Sequence, residues 1–322
     1  MRILVTGGAG FIGSHLIDEL RLCGHEAGAF DDLSSGSRDN LADGVPLHVG
    51  DIRDATALKT AFEAFRPDRV CHLAAQMSVS RSMREPAFDA DVNVVGLLRV
   101  LGQCREHGVD RVVFASSGGA LYGDVTEPVD ESHPCRPGAP YGISKWAGER
   151  YLEFFAGEFA LQAAAMRYAN VYGPRQNPLG EAGVVAIFST TMLDGKPVTI
   201  NGDGKYVRDY VYVRDVARAN ASALEADLPQ TFNAFNVGTG IGTDVNQLVE
   251  LMQPVCEEIR RSSGKTEPIP APHHGAARAG DLRSSLLSHE QITRTLDWRP
   301  EVTLSDGLRQ TVEWFAENQQ GS

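Results

Sequence analysis

The sequence has 322 residues, of which 42% are hydrophobic and 22% are charged, which is typical of a globular protein and excludes a disordered, collagen-like or coiled-coil chain. Its 42 acidic residues outnumber its 30 basic residues and give a net charge of −12. Nucleic-acid binding needs a concentrated basic surface, so we expect no nucleic-acid partner. No apolar run approaches the roughly 18 residues of a membrane span, so we expect no membrane association either.

The N-terminus and the cysteines indicate the compartment. The apolar start at residues 1–5 gives way to Thr6 and Gly7 and is too short for the core of a signal peptide. The five cysteines are an odd number and lack the CxxC spacing of a zinc site. We therefore predict a cytoplasmic protein with reduced thiols, no disulfide framework and no bound metal.

Short β-branched runs alternate with amphipathic stretches over the first 175 residues, which is the pattern of βαβ units on a parallel sheet. The predicted strands cover residues 3–5, 25–30, 46–49, 69–73, 111–115 and 163–167. The predicted helices cover residues 11–23, 54–65, 86–107 and 140–160. Helical spacing in the third of these helices predicts a core-facing side formed by Val92, Val95, Leu98 and Leu101.

The pattern becomes less regular after residue 174. Helices are predicted around residues 182–194, 214–226 and 244–262, and short strands at residues 198–200, 206–212 and 235–237. We therefore predict an α/β protein with a doubly wound parallel sheet in residues 1–175. A smaller α/β lobe is expected in residues 176–322, with some of its segments returning to the first domain.

A glycine-rich turn follows the first predicted strand and opens the first helix. Gly7, Gly10 and Gly13 have a GxxGxxG spacing. Glycine permits a tight turn, close approach of the backbone to a pyrophosphate and close packing of helix against strand, while the helix N-terminus favours anions. The turn therefore predicts a dinucleotide site.

An acidic residue at the end of the second strand indicates which dinucleotide binds. Asp31 lies 18 residues beyond Gly13, where a carboxylate can accept hydrogen bonds from a ribose 2′-hydroxyl. The same carboxylate would repel a 2′-phosphate, and no arginine follows within residues 32–36. We therefore predict NAD rather than NADP as the cofactor.

Residues after the next two strands could complete this site. Asp51 and Ile52 could bracket an adenine through the carboxylate and the backbone amide. Ala74 and Ala75 are small enough for the backbone to pass the cofactor closely. Helix capping by Asp51 and plain packing of the alanines are the alternatives.

A tyrosine and a lysine carry the candidate chemistry. Tyr141 and Lys145 are four residues apart and therefore share one face of the predicted helix. A tyrosine with its ordinary pKa of about 10 is a poor base at neutral pH. A nearby ammonium and a cationic nicotinamide ring both stabilise a phenolate, so we expect the pKa of Tyr141 to be lowered. Ser117, or alternatively Ser116, could relay a proton at the end of the fifth strand.

With these residues the chain resembles the extended short-chain dehydrogenase/reductases, specifically the NAD-dependent nucleotide-sugar epimerase/dehydratase family, and most of all its 4-epimerases of UDP-hexoses. The resemblance covers essentially the whole chain. Matching segments include TGGAGFIG at 6–13, DDLSSG at 31–36, GDI at 50–52, HLAAQ at 72–76, YGISK at 141–145, RYANVYGPRQNP at 167–178, INGDGKYVRDYVYVRDV at 200–216, FNVGTG at 235–240, ARAGD at 277–281 and DWRP at 297–300.

The resemblance implies a Rossmann-type fold, an NAD cofactor and a role for each matching residue. The implied NAD-binding residues are Gly7, Gly10, Phe11, Ile12, Gly13, Asp31, Asp32, Leu33, Ser35, Gly36, Asp51, Ile52, Leu73, Ala74, Ala75, Gln76, Asn93, Ser116, Tyr141, Lys145 and Tyr168. The implied binding residues for a UDP-sugar are Ser117, Tyr141, Asn170, Arg208, Arg278, Asp281 and Ser285.

Three of these residues have implied catalytic roles. Tyr141 is the base, Lys145 binds the nicotinamide ribose and tunes Tyr141, and Ser117 supplies the hydroxyl. Arg208 and Arg278 are expected to clamp the diphosphate, because arginine forks suit phosphate geometry. A simple ion pair on the surface is the alternative for each arginine.

The chain departs from its relatives at two positions. Relatives usually carry the catalytic Ser or Thr where this chain has Gly118, which moves that role to Ser117. Asp32 stands where many relatives have Asn. Dehydratases of the family carry an Asp-Glu pair just after the catalytic hydroxyl, whereas this chain has no titratable group between Gly118 and Asp124. We therefore predict epimerisation at C4 rather than elimination.

Several further expectations concern the sugar and the assembly. A small residue at Ser285 leaves room for an N-acetyl group, so UDP-N-acetylglucosamine is an alternative substrate to UDP-glucose and UDP-galactose, and UDP-glucuronate is a third. A non-catalytic NAD(H)-binding sensor is the alternative of a different class. Relatives suggest a homodimer that packs through helices near residues 86–107 and 140–160.

Overall fold

The computed structural model describes residues 1–178, 183–277 and 280–318. Its strands are β1 (Arg2–Thr6), β2 (Glu26–Asp31), β3 (Leu47–Val49), β4 (Arg69–His72), β5 (Arg111–Ser117), β6 (Gln162–Tyr168), β7 (Asn170–Tyr172), β8 (Thr199–Asn201), β9 (Val207–Tyr212), β10 (Phe232–Val237), β11 (Gly242–Asp244), β12 (His273–Gly275) and β13 (Ser284–Ser285).

The helices alternate with the strands through most of the chain. They are α1 (Phe11–Leu22), α2 (Ala55–Phe65), α3 (Val79–Arg84), α4 (Pro86–Ala90), α5 (Leu97–Glu106), α6 (Gly118–Tyr122), α7 (Pro140–Glu158), α8 (Val184–Leu193), α9 (Val213–Glu225), α10 (Val245–Ser262), α11 (Glu290–Leu296) and α12 (Leu304–Asn318). A short 3₁₀ helix covers Arg38–Asn40, and a π-helical segment covers Asp91–Gly96.

Seven strands form one parallel sheet in the order β10-β6-β5-β4-β1-β2-β3. The sheet confirms the doubly wound α/β fold, since the strand order reverses direction at β1. All six strands predicted in the first 175 residues are present, with bounds that differ by at most two residues. The proposed boundary after residue 175 remains a prediction. Strand β10, which lies beyond that boundary, nevertheless adds to the edge of this sheet.

Apolar residues cover both faces of the large sheet. On one face, α1 and α9 pack together through residues such as Leu16, Leu20 and Leu224. On the other face, α2, α5 and α7 contribute residues such as Phe62 and Leu101. Parallel strands buried on both faces read as continuous apolar runs, as in β1 and β5.

The remaining strands form a smaller lobe. Strand β9 pairs with β7, β11 and β13, and β8 pairs with β12. Helices α8, α10 and α12 pack on one another and share a separate apolar core with residues such as Met192, Leu248 and Leu308. Because β7 is joined to β6 by one residue, the smaller lobe begins directly at the end of the large sheet.

The predicted core face of the helix at residues 86–107 is confirmed at Leu101, only partly at Val92 and Leu98, and is wrong at Val95. The segment divides into α4, the π-helical turn and α5. Val95 is exposed and Val92 and Leu98 are only partly buried, whereas Leu97 and Leu101 are fully buried. A π-helical turn holds more residues than an α-helical turn, so the face that points inward shifts along the sequence.

Within the described ranges, no helix is long and apolar enough to span a bilayer.

Candidate active site

The candidate site lies at the carboxyl ends of the parallel strands. The loops after β1, β4 and β5 reach this edge of the sheet together with the start of α7. In open α/β sheets this crevice is where ligands bind, at the point where the strand order reverses. The fold therefore gathers the glycine-rich turn and the Tyr-Lys pair at one edge, as the sequence predicts.

The backbone of the glycine-rich turn lies so close to neighbouring backbone atoms that side chains would not fit there. Gly7 has φ +70° and touches the β4 loop, where a Cβ would lie 2.8 Å from Ala74 N. At Gly13 a Cβ would lie 2.1 Å from Gly7 O. Gly10 precedes α1, and no side chain caps the first turn of this helix. The free N–H groups of Phe11, Ile12 and Gly13 therefore form a cradle suited to a phosphate.

Asp31 joins this turn to the end of β2. Its carboxylate accepts hydrogen bonds from Ala9 N at 2.9 Å and Leu33 N at 2.8 Å. Burial raises the pKa of Asp31, although these two amides oppose the change. An ionised carboxylate can accept about four hydrogen bonds. Asp31 can therefore accept one from a ribose hydroxyl while it binds these two backbone amides. The turn and this carboxylate together fit NAD.

The residues that follow Asp31 in the loop make different contacts within the protein. Asp32 is exposed and accepts hydrogen bonds from the N and Oγ of Ser34. Leu33 has φ +59°, and the loop continues through Ser35 to Gly36, where a Cβ would lie 2.7 Å from the carbonyl carbon of Ala9. The predicted loop residues thus pack directly over the glycine-rich turn.

The two residues predicted to bind adenine, Asp51 and Ile52, also make contacts within the protein. The Asp51 carboxylate pairs with Arg53 at 2.6 Å, and this hydrogen bond lowers the pKa of Asp51. Ile52 is buried in the core beside Gly96. Helix α2 is capped by Asp54 rather than Asp51, so the capping alternative for Asp51 is wrong.

Tyr141, Ser117 and Lys145 come together beside the β5 terminus. The Ser117 side chain lies within reach of the Tyr141 phenol and acts to lower its pKa. Lys145 is buried, donates to Ala115 O at 2.8 Å, and lies 5.8 Å from the centroid of the Tyr141 ring. The Phe114 ring lies beneath the same ammonium at 4.9 Å. A phenol, a hydroxyl and an ammonium therefore share one pocket edge.

The expected lowering of the Tyr141 pKa is not found. Burial, with a smaller contribution from Asp89, raises the pKa of Tyr141 to about 12, and the interaction with Ser117 only partly opposes this rise. Burial also lowers the pKa of Lys145 to about 8, against the effect of Asp89. Transfer out of water disfavours whichever form is charged, so it raises the pKa of a phenol and lowers the pKa of an ammonium.

The two serines at the end of β5 point in different directions. The Ser116 hydroxyl donates to Glu149 Oε1 at 2.6 Å, inside the protein. Ser117 is instead the hydroxyl that contacts Tyr141. Side chains of consecutive strand residues alternate between faces, so only one of the two can reach the site.

Several predicted cofactor residues are held in place by hydrogen bonds within the protein. Asn93 accepts from Gln76 N at 2.8 Å and donates to Gln76 O at 2.9 Å and to Ser144 Oγ at 3.2 Å. The Tyr168 hydroxyl donates to Asn220 Oδ1 at 2.8 Å in the core. Leu73 N and Ala74 N donate to Thr6, and the partly buried Ala75 follows in the same loop.

The predicted substrate residues lie along β9 and its neighbours. Arg208 donates to Asp281 at 2.5 Å, so in the protein alone it forms an ion pair, the alternative given above for this arginine. Its neighbour Asp209 accepts from Thr239 and Gly240 instead. Asn170 begins β7 and Ser285 lies in β13, and both strands pair with β9. Arg278 lies outside the described residues.

The departure at Gly118 has a structural reason. A Cβ at Gly118 would lie 2.6 Å from both methyl carbons of the buried Leu287. A Cβ at Gly119 would lie 3.0 Å from Ser285 Oγ, which puts Ser285 next to the catalytic loop. Asp124, the first carboxylate after this loop, accepts from Ser284 N at 2.9 Å and is engaged there.

Two buried carboxylates near the site, Glu149 and Asp89, are not among the residues predicted from the sequence. Glu149 pairs with Arg167 at 2.7 Å in addition to binding Ser116. It lies four residues after Lys145, on the same helical face, and that spacing could have revealed it. Asp89 had no comparable signal, because it reaches the site from a separate short helix.

The backbone packing of the glycine-rich turn predicts that an added side chain will prevent cofactor binding. We expect Gly13→Ala to abolish NAD retention and to destabilise the protein by about 1–3 kcal/mol, because the new methyl would overlap Gly7 O. NAD released from the denatured protein and urea unfolding measure the two effects. Gly102→Ala in α5 is the control, since its Cβ meets no atom within 4 Å. Full NAD retention in Gly13→Ala would contradict the assignment of this turn.

Comparison with known proteins agrees with this geometry. The family model described as the NAD dependent epimerase/dehydratase family matches residues 3–238. The UDP-glucose 4-epimerase of Mycolicibacterium smegmatis is 42% identical, over 99% of this chain and all of that protein. A crystal structure of the Thermotoga maritima UDP-glucose 4-epimerase with UDP-glucose matches with a TM-score of 0.90 and 47% identity, over 99% of this chain and all of that one.

A second solved structure contains the cofactor. The Thermus thermophilus UDP-glucose 4-epimerase in complex with NAD matches with a TM-score of 0.88 and 44% identity, over the full length of both chains. Full-length similarity to a family that uses NAD agrees with the phosphate cradle and the Asp31 carboxylate described above. The chain belongs to the NAD-dependent epimerase/dehydratase family and is an NAD-dependent enzyme of the epimerase type.

Proposed function

We propose that the protein interconverts UDP-glucose and UDP-galactose by inverting C4 of the sugar. The observation that carries this proposal is the grouping of Ser117, Tyr141 and Lys145 at the start of α7, with no carboxylate in the adjoining loop. Elimination of water would need a further acid and base next to the hydroxyl, whereas oxidation and return at one carbon needs only the Tyr-Ser pair. The full-length similarity to UDP-glucose 4-epimerases supports the same choice of substrate.

Each residue of the site has a separate role in the proposed reaction. Tyr141, as phenolate, accepts the proton of the sugar 4-hydroxyl with Ser117 bridging, and it returns the proton at the end of the cycle. NAD, when bound, supplies the oxidant that accepts hydrogen from C4 and gives it back. Lys145 holds positive charge beside the phenolate. Arg208 binds the diphosphate while the 4-keto sugar presents its other face.

The size of the residues beside the catalytic loop determines which sugars the site can hold. Ser285 lies next to Gly119 at the catalytic loop, and both residues are small. Space beside a serine would accommodate an N-acetyl group at C2, so UDP-N-acetylglucosamine is the second candidate substrate. UDP-glucuronate remains the third, and Arg278 is proposed as a second diphosphate ligand.

Product analysis tests the proposed function. Purified protein is incubated separately with UDP-galactose, UDP-N-acetylglucosamine and UDP-glucuronate, without added NAD. We expect UDP-glucose from UDP-galactose at the highest rate. Absence of a C4 epimer from all three sugars, even after NAD is supplied, would refute the proposed 4-epimerase.

We also propose that the enzyme is a homodimer. Exposed apolar side chains line α7 at Ile143, Trp146 and Phe154, which share one helical face. Met83 and Val95 on the neighbouring segments are also exposed. The resemblance implies that two copies pack through helices near residues 86–107 and 140–160, which is the region of this exposed apolar surface. An apolar patch of this size is stabilised when a second protein surface covers it.

The dimer proposal predicts the effect of a charge on this face. We expect Trp146→Glu to convert a particle with twice the mass of one chain into a monomer, because a carboxylate cannot be buried there without a partner. Light scattering after size exclusion measures the mass. Leu251→Glu is the control, because Leu251 is also exposed but lies on α10. A wild-type monomer at micromolar concentration would contradict the proposal.

A further inference from the structure

The ammonium of Lys145 is buried and has few polar contacts. Lys145 is 4% exposed, and its Nζ donates to Ala115 O at 2.8 Å. Among residues 1–178, 183–277 and 280–318, no acidic side chain forms an ion pair with this ammonium. A buried ammonium that keeps its charge needs stabilisation from its other neighbours.

An aromatic ring lies against the ammonium. The Lys145 Nζ is 4.9 Å from the centroid of the Phe114 ring, and Phe114 is itself fully buried. The face of an aromatic ring carries partial negative charge and attracts a cation within about 6 Å, most strongly where water is excluded. An aliphatic side chain would fill much of the same volume without this attraction. The Phe114 ring therefore stabilises the charge of Lys145 in the absence of an ion pair.

Gly148 brings the helix that carries Lys145 into direct contact with the ring. A Cβ at Gly148 would lie 2.8 Å from Phe114 Cζ. Gly148 lies three residues after Lys145 in α7, so the two residues are neighbours on one side of the helix. The distance between the ammonium and the ring is therefore set by the packing of the helix backbone.

A row of side chains across the sheet holds the Phe114 ring from the side. Thr6, His72 and Phe114 are register partners on β1, β4 and β5, so their side chains share one face of the sheet. The His72 and Phe114 rings stack, with centroids 5.9 Å apart and planes inclined by 11°. A hydrogen bond of 2.7 Å joins His72 Nδ1 to Thr6 Oγ1. Because Gly7 follows Thr6, the row connects the glycine-rich turn to the lysine.

Three titratable groups face Lys145, and none of them forms an ion pair with it. Burial and the charge of Lys145 lower the pKa of His72 to about 3, so this ring is neutral near pH 7. Burial raises the pKa of Tyr141 to about 12, so the phenol is neutral in the protein alone. Asp89 on α4 favours the charged form of Lys145. The Phe114 ring is thus a direct contact of the ammonium, whereas Asp89 acts without one.

The other titratable groups on Lys145's helix and on the elements packed against it are neutral, engaged or exposed. Burial raises the pKa of the thiols and phenols among them and keeps these uncharged, namely Cys71, Cys104, Tyr122 and Tyr168. The engaged groups are Arg81 with Glu85, Asp91 with Arg53, Arg99 with Arg53 O, Arg111 with Leu224 O, Arg150 with Glu153, and Arg167 with Glu149. The exposed groups are Arg84, Arg105, Glu106, Tyr151 and Glu158.

We propose that Phe114 is a positioning residue whose ring, supported by His72 and Thr6, holds the Lys145 ammonium charged and in place beside Tyr141. The effect on catalysis rests on the proposed function, whereas the contact between ring and ammonium does not. When the attraction of the ring is weakened, Lys145 loses its proton at lower pH than in the wild type, because its charged form has lost a stabilising contact.

A lysine titration tests the contact without any substrate. The sequence contains five lysines, so full-length protein labelled with ¹³C at the lysine ε-carbon gives few signals, and the signal lost in Lys145→Arg is assigned to Lys145. Trifluorophenylalanine in place of Phe114 keeps the shape of the ring but withdraws electron density from its face. We expect it to lower the Lys145 midpoint by about half a pH unit, and Phe114→Leu to lower it by about one pH unit. An unchanged midpoint with trifluorophenylalanine would overturn the proposal.

A second buried phenylalanine provides the control. Phe62 on α2 belongs to the same apolar core as Phe114 and is fully buried. Phe62→Leu should leave the Lys145 midpoint unchanged, and an equal shift in this variant would mean that a loosened core, and not the ring, changes the titration. That result would also overturn the proposal. If Phe114→Leu does not fold, as judged by circular dichroism, the trifluorophenylalanine variant decides, because it keeps the ring in the core.

The pH dependence of epimerisation provides the catalytic readout. We expect the alkaline limb of kcat to move to lower pH with trifluorophenylalanine at position 114, whereas a purely structural defect would lower kcat at every pH and leave the limb in place. A wild-type enzyme that epimerises none of the three UDP-sugars would count against the proposed function. The lysine titration would still decide the role of Phe114 in that case.

Discussion

Tyr141→Phe should lower kcat for epimerisation by about 10²- to 10⁴-fold, the usual contribution of a positioned acid-base group. The substitution removes the phenolic oxygen beside Ser117 and keeps the ring that lies beside Lys145. The fold and NAD retention should therefore remain as in the wild type. Steady-state kinetics and the NAD released on denaturation measure the two properties.

A second tyrosine on the same helix provides the control. Tyr151 lies ten residues further along α7 and is exposed. Tyr151→Phe should leave kcat within experimental error of the wild type. If Tyr141→Phe retained a third or more of wild-type activity, Tyr141 would not be the base, and the proposed proton path would be wrong.

Glu149→Ala should reduce the free energy of unfolding by about 3–5 kcal/mol, the usual cost of leaving one partner of a buried ion pair alone. Glu149 is fully buried and binds Arg167 through Oε1 at 3.0 Å and Oε2 at 2.7 Å. Arg167 also donates to Tyr122, which donates to Asn236. The substitution thus removes the centre of a network that joins β5, β6, α6 and α7 behind the catalytic loop. Urea unfolding followed by tryptophan fluorescence measures the loss.

Two variants separate the buried charge from other effects. Glu153→Ala removes the exposed partner of Arg150 on the next turn of α7 and should cost at most about 1 kcal/mol. Adding Arg167→Met to Glu149→Ala should recover part of the lost stability, because it removes the unpaired cation. A cost below about 1 kcal/mol for Glu149→Ala would mean that water reaches and solvates Arg167.

Much of the site could be predicted because its signals are local in sequence. The glycine turn from Gly7 to Gly13 lies within eight residues, and Tyr141 and Lys145 lie within one helical turn. Their meeting in space follows from one rule, that the carboxyl ends of parallel strands share an edge. The parallel sheet itself was predictable because strands buried on both faces read as apolar runs.

The parts that could not be predicted depend on distant contacts. Strands β7, β11 and β13 have two or three residues each and exist only because β9 pairs with them. The π-helical turn moves Val95 to the surface, and simple helical spacing does not reveal it. In the protein alone the pKa of Tyr141 is raised by burial, and the spacing to Lys145 could be read from the sequence whereas the depth of burial could not.

The fate of the hydrogen at C4 tests the central claim most directly. UDP-galactose carrying deuterium at C4 is incubated in ordinary water with the purified protein and no added NAD, and the products are analysed by NMR. The account predicts UDP-glucose that keeps the deuterium at C4, because the hydrogen is removed and returned within one closed site. Loss of the deuterium to solvent, or a deoxygenated 4-keto product, would contradict it.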